Sequence, residues 1–168
     1  MKSDSHNDSI KVLLVEDNPG DVRLIQEALK DGRKSCQLMV TPDGVEAWAF
    51  LNKKAAYAES PRPDIIWLDL NLPRMDGREL LAKVRKTPDF CCIPVVILSS
   101  SHAQQDIYQS YRLGANCFIT KPVDLDRYFA VIQSLVDFWS TVAALPQGCQ
   151  TENGQISETS AGFGVNAE

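Results

Sequence analysis

The feature that most limits what this chain can fold into is a set of five short, branched apolar runs, each separated from the next by a stretch of helical periodicity. The runs are 10–15 (IKVLLV), 36–41 (CQLMVT), 64–68 (DIIWL), 93–98 (IPVVIL) and 117–120 (CFIT). Nearly continuous apolar character over so few residues reads as strands buried on both faces. Between them, Val22, Ile25, Ala28 and Leu29 recur at three- and four-residue intervals within 21–30, and similar patterns fill 45–51, 78–85, 103–113 and 125–144. Parallel strands joined by right-handed helical crossovers account for this alternation. The expected fold is α/β, a doubly wound five-stranded parallel sheet with helices on both faces, covering 10–145. Residues 53–63 read as a helix end and a surface loop, stopped by Pro61 and Pro63 before the third strand. A flexible N-terminus is expected over 1–9, and a flexible tail over 146–168, which is rich in Gly, Ser, Asn and Gln.

Charge and composition remove several functions. The net charge of −5 offers no basic footprint for a nucleic acid, so protein partners are expected instead. No apolar stretch approaches the roughly 18 residues needed to cross a bilayer, and no secretory leader is recognisable, so a cytoplasmic location without membrane contact is expected. The five cysteines, Cys36, Cys91, Cys92, Cys117 and Cys149, are odd in number and irregularly spaced, which suits reduced thiols. With only His6 and His102 beside them, a zinc site is not expected. Vicinal Cys91 and Cys92 read as small apolar residues at a strand entrance rather than as a redox pair.

In an open parallel sheet, chemistry collects at the carboxyl ends of the strands. Here the first run ends in Glu16 and Asp17, the third in Asp69, the fourth in Ser99, Ser100 and Ser101, and the fifth in Lys121 and Pro122. Taken singly, each has an ordinary reading: a helix cap, a polar loop, an N-cap, a surface lysine. Together they offer an acid pair, a further acid, a hydroxyl and a lysine at four strand ends. Three carboxylates brought into one pocket raise one another's pKa unless a cation joins them, and an all-oxygen ligand set suits Mg²⁺. Lys121 supplies a mobile positive charge for phosphate oxygens, Ser99 a hydroxyl donor, and Asp69 a nucleophile for in-line phosphoryl transfer.

At these residues the chain resembles the receiver domains of two-component response regulators. VLLVEDNPGD at 12–21, IIWLDLNLPRMDG at 65–77, PVVILSSS at 94–101 and FITKP at 118–122 carry the resemblance, which covers about 9–140. It implies a flavodoxin-like sheet of strand order 2-1-3-4-5. It also implies that Asp69 is phosphorylated, that Asp17 ligates Mg²⁺ directly, Glu16 mostly through water and Asn71 through its backbone carbonyl, and that Lys121 contacts the phosphoryl group. The Lys121–Pro122 bond is commonly cis in that family. Ser99 matches the hydroxyl that drives the switch and Phe118 the switch aromatic, often Tyr there, which leaves ring rotation without a hydroxyl; Asn71 and Ser101 fall where autodephosphorylation is tuned. LVEDNPGDVRLIQEAL, LDLNLPRMDGRELL and ITKPVDLDRYFAVIQSLVDFW look like the stand-alone regulators of cyanobacterial phytochrome histidine kinases.

Such a protein is not expected to be an enzyme beyond self-catalysed phosphotransfer and autodephosphorylation. An aspartyl-phosphate phosphatase would want an acid two residues after Asp69, where Asn71 stands, and no GxGxxG or GxxxxGK[ST] follows the first strand. A receiver-like docking module that is not phosphorylated is the alternative, against which Asp69, Lys121, Glu16 and Asp17 argue. Residues 146–168 are too few and too polar for a DNA-binding output domain, so the signal is expected to leave through protein contacts. The last helix carries an apolar stripe too broad for one buried face, with Phe138, Trp139 and Val142 at its end. A homodimer through the fourth and fifth helices is expected, with Tyr108 and Tyr111 contributing; the competing reading packs that stripe under the protein's own tail.

Overall fold

The computed structural model describes residues 9–146. Apart from Ser9 and Pro146, the expected loose terminus and polar tail lie outside the described residues, as do His6, Cys149 and the suggested packing of a tail beneath Phe138. Strands β1 (Ile10–Val15), β2 (Cys36–Thr41), β3 (Ile65–Leu68), β4 (Val95–Ser99) and β5 (Cys117–Thr120) alternate with helices α1 (Pro19–Lys30), α2 (Gly44–Leu51), α3 (Gly77–Lys86), α4 (Gln104–Arg112) and α5 (Leu125–Asp137). All pairings are parallel, in the order β2-β1-β3-β4-β5.

Alternation along the three inner strands builds two cores. Leu13, Val15, Ile66, Leu68, Val95 and Ile97 point to the side covered by α2 and α3, against Ala47, Phe50, Leu80, Leu81 and Val84. Val12, Leu14, Ile65, Trp67, Val96 and Leu98 point to the other, against Ile25 and Ala28 of α1 and Tyr128, Ile132, Leu135 and Val136 of α5. Burial on both faces is what makes these runs continuously apolar. β2 departs from that expectation: as an edge strand it has one neighbour, and Gln37 and Val40 are exposed. β5, at the other edge, is partly buried throughout.

Helix starts follow local chemistry. Asn18 caps α1 through Oδ1, which accepts from the N–H groups of Gly20 and Asp21, and Pro19 fits the first helical position because no donor is required there. The helix therefore begins two residues before the expected start at Asp21. Asp43 and Asp76 cap α2 and α3 in the same way. At the far end, α5 stops at Asp137 and gives way to a π-helical turn, Phe138–Val142, instead of running on to 144. The loop 53–63 contains a 3₁₀ turn at Ala55–Tyr57, entered with positive φ at Lys53 and Ala55.

Two further expectations are corrected. The Lys121–Pro122 bond is trans, the isomer that an X–Pro bond favours intrinsically. Cys91 and Cys92 are exposed in the turn before β4 rather than packed at its entrance, with their Sγ atoms 3.8 Å apart and no disulfide. Among the described residues no helix is long and apolar enough to cross a membrane.

Asp43, only 3% exposed, joins two halves of the fold. Its Oδ1 caps α2, while Oδ2 accepts from Arg74 Nε at 2.7 Å and from Nη2. Burial alone would raise this carboxyl, but the α2 N–H groups and the Arg74 guanidinium outweigh it and hold it below its ordinary value. A depressed carboxyl contributes stability above its unfolded pKa and loses it as pH falls through the folded value. Asp43→Ala should therefore cost about 1–2 kcal/mol at neutral pH. Urea unfolding should show the gap to wild type narrowing as pH falls below about 4.

Candidate functional site

The strand order sets β1 beside β3, so the residues that follow Val15 and Leu68, which are register partners, meet at one end of the sheet. Glu16 and Asp69 remain in the backbone ladder, Glu16 N–H donating to Thr41 O and Asp69 N–H to Val15 O, each at 3.0 Å. Lys121 enters from β5, its N–H donating to Ser99 O at 2.8 Å. The backbone thus delivers four of the expected residues to the same edge before any side chain acts.

Three side chains are then fixed by one repeated device. Glu16 Oε1 accepts from Asn18 N–H at 3.0 Å, Asp69 Oδ1 from Asn71 N–H at 3.2 Å and Ser99 Oγ from Ser101 N–H at 3.2 Å. In each case a side-chain oxygen accepts from the N–H two positions on, as in Asx and ST turns for Asp69 and Ser99, and Glu16 makes the same bond with its longer side chain. The second carboxylate oxygens, Glu16 Oε2 and Asp69 Oδ2, are left to face Lys121.

Lys121 Nζ lies 2.6 Å from Glu16 Oε2, 3.1 Å from Asp69 Oδ2 and 2.7 Å from Asp21 Oδ2. Glu16, Asp69 and Ser99 are buried, the last completely. Burial pushes the Glu16 carboxyl above its ordinary value, with Lys121 and the Asn18 N–H pulling it only partly back. Burial would lower the Lys121 ammonium, but Asp21, Glu16 and Asp69 more than offset this and hold it above its usual range. One carboxylate oxygen each from Glu16, Asp17 and Asp69 lie within 4.8 Å of one another, with Asp17 exposed at the mouth. Hard oxygen donors at that spacing, open to solvent on one side, fit a divalent cation that keeps part of its water shell.

The remaining expected residues lie around this core. Asn71 is exposed and bound to Asp69 through its N–H. Phe118 is half-buried against the α2–α3 core, and its N–H donates to Tyr111 Oη at 3.1 Å, giving Tyr111 a role within the fold besides its exposure. Ser101 does not cap α4 through an N-cap position; the cap is Ala103, which makes no side-chain bond. Ser101 instead donates to Asp106 Oδ2 at 2.6 Å, while Arg78 Nη2 donates to Asp106 Oδ1 at 2.6 Å. Ser101 and Arg78 together hold the Asp106 carboxyl below its usual range. Tyr108, Tyr111, Phe138 and Val142 are exposed, whereas Trp139 is partly buried against the α1–α5 core.

Two residues of the site escape a sequence reading. Asp21 sits in a helical pattern, where an acid in the first turn is ordinary and carries no further signal. Gly77 looks like a loop glycine, yet a Cβ there would meet Asp69 O at 2.1 Å and Leu70 Cα at 2.8 Å. Its missing side chain lets α3 start against the backbone of the candidate nucleophile.

A five-stranded doubly wound sheet with paired acids, a buried hydroxyl and a lysine at its carboxyl edge defines a receiver domain. The chain matches the response regulator receiver domain over residues 12–133 and belongs to that family. Response regulator Rcp1 of Synechocystis sp. is 44% identical over 144 residues, covering 86% of this chain and 98% of that protein. Among solved structures, the phosphorylated cyanobacterial phytochrome response regulator RcpA is similar with a TM-score of 0.78 at 46% identity, over 82% of this chain and 99% of that one. The Mn²⁺-bound form of Rcp1 gives 0.77 at 44% identity, over 82% and 99%. Membership implies a histidine kinase as partner, and the acid cluster provides the pocket in which receiver domains bind a divalent metal.

Gly77→Ala should destabilise the protein by about 1–3 kcal/mol through overpacking against backbone, read as a lower denaturation midpoint. A variant as stable as wild type would mean that α3 can shift away from Asp69 freely.

Proposed function

We propose that this protein is a response regulator whose Asp69 accepts a phosphoryl group from a sensor histidine kinase of the phytochrome type, with Mg²⁺ as the divalent cation. The observation that carries this reading is the setting of Asp69 Oδ2, which has the Lys121 ammonium 3.1 Å away and belongs to a residue sharing a carboxylate cluster with Glu16 and Asp17. A nucleophile, a fixed positive charge and a metal-competent acid pair are the parts that phosphoryl transfer asks of a protein. The similarity to Rcp1 and to RcpA, a phytochrome response regulator, supports a phytochrome kinase as donor.

In the transfer, an Asp69 carboxylate oxygen forms a bond to phosphorus as the bond from phosphorus to the kinase histidine breaks, and its electron pair returns to the imidazole nitrogen. Lys121 stays charged in its carboxylate surroundings and pairs with phosphoryl oxygens. Ser99 Oγ takes the Ser101 N–H on a lone pair and keeps its own hydrogen to donate. Asp17, Asp69 and the Asn71 carbonyl, with Glu16 mostly through water, would hold Mg²⁺, which would supply charge neutralisation at the phosphoryl oxygens. Phe118 acts as the switch aromatic through ring packing, because it has no hydroxyl to exchange. Turnover is confined to the protein's own carboxylate: self-catalysed phosphotransfer and autodephosphorylation.

Output then passes through protein contacts, and we infer a homodimer through α4 and α5. Tyr108, Tyr111, Phe138 and Val142 are 64%, 50%, 48% and 71% exposed, an apolar display that a second copy would cover. Phe138 also lines a groove of about 650 Å³ with Cys117, Ile119, Val131, Leu135 and Trp139.

Incubation with acetyl phosphate should give Mg²⁺-dependent, base-labile phosphate on the wild type by intact mass and none on Asp69→Asn. Labelling of neither protein, with acetyl phosphate or with a phosphorylated kinase, would favour the docking-module reading. In sizing with light scattering, the double variant Phe138→Ala/Trp139→Ala should have the lower mass; monomeric mass for both proteins would sink the dimer.

A further inference from the structure

We propose that Asp21 is a positioning residue that retains Lys121 when a divalent cation takes the acid cluster, so that a carboxylate outside the ligand set helps to fix cation affinity. This rests on the reading of Asp69, Glu16 and Asp17 given above. The Lys121 ammonium bonds Glu16 Oε2 at 2.6 Å and Asp69 Oδ2 at 3.1 Å, and both residues belong to the three-carboxylate cluster. Lysine and cation therefore compete for the same carboxylates. The ammonium cannot simply withdraw into water, because the Lys121 side chain is 9% exposed and a buried ammonium without a partner is costly.

Asp21 supplies the other partner. Its Oδ2 lies 2.7 Å from Nζ, as close as Glu16 to within 0.1 Å, yet it lies outside the cluster formed by Glu16, Asp17 and Asp69. An ammonium has three hydrogens to donate, so Lys121 can keep the Asp21 bond while it releases one or both of the others. Asp21 is placed for this by the start of α1, where its own N–H is bound to the Asn18 cap, and Asn18 N–H in turn is bound to Glu16 Oε1. Without Asp21, the full charge of Lys121 would bear on Glu16 and Asp69 and oppose the cation more strongly.

Calorimetric titration of Mg²⁺ into the full chain tests this independently of phosphorylation. Asp21→Asn should weaken Mg²⁺ binding about five- to tenfold, and Asp21→Glu, which can still reach Nζ, should restore most of it. In a Lys121→Met background the same Asp21→Asn change should alter affinity by less than about twofold, since the competitor is gone. An equal loss in both backgrounds would reduce Asp21 to a distant negative charge and overturn the proposal. No loss in either would do the same. Failure of the wild type to label at Asp69 would instead count against the function proposed above, while the binding isotherms still decide this inference.

Discussion

Everything at the working edge of this protein depends on one buried ammonium set among carboxylates. Glu16 and Asp69 are brought together because β1 and β3 are neighbours, and two buried acids side by side would repel if nothing stood between them. Lys121, which follows the edge strand β5, bridges both and reaches Asp21 as well. The fold thus tolerates a concentration of negative charge that would otherwise weaken it. Glu16 and Asp69, which Lys121 bridges, also belong to the carboxylate cluster spaced for a divalent cation, so stability and the proposed chemistry are drawn from a single set of contacts.

The precision of the site comes from the backbone more than from side-chain packing. Three strand ends use the same bond to an N–H two residues on, which in Glu16 and Asp69 orients one carboxylate oxygen and leaves the other facing Lys121. Gly77 and Gly44 let loops and helix starts close onto that scaffold: a Cβ at Gly77 would collide with Asp69 O, and one at Gly44 with Met75 O at 2.5 Å. These are geometric conditions on residues that never meet a substrate, and they tie the Asp69 loop to both α2 and α3.

How much of this was legible in the sequence follows from which physics leaves a local trace. The inner strands were readable because Leu13, Ile66 and Val96 must be apolar whichever face they occupy. The exposure of β2 was not, since an edge strand and a buried one can share a composition, and neighbourhood is decided by topology. Asp69, Lys121, Ser99, Glu16 and Asp17 stood out as polar residues closing apolar runs. Asp21 did not, because its partner is 100 positions away and its local role as a first-turn acid is already sufficient. α5 ends before its apolar pattern does for a related reason: Phe138 to Val142 keeps a helical pattern while its hydrogen bonding loosens to a π-turn.

α4 differs from its neighbours in how it is held. Ser110 is its single buried residue, and what secures it otherwise are polar ties: Arg78 and Ser101 to Asp106, and the Tyr111 hydroxyl to the Phe118 N–H. A helix anchored by polar bonds instead of a hydrophobic face opens at lower free energy than the strands beneath it, and its amides exchange with solvent sooner. Ser99 is connected to that anchorage through the Ser101 N–H. α4 is therefore tied through Ser101 to the Ser99 hydroxyl, so a change in hydrogen bonding at Ser99 reaches this helix without passing through either apolar core.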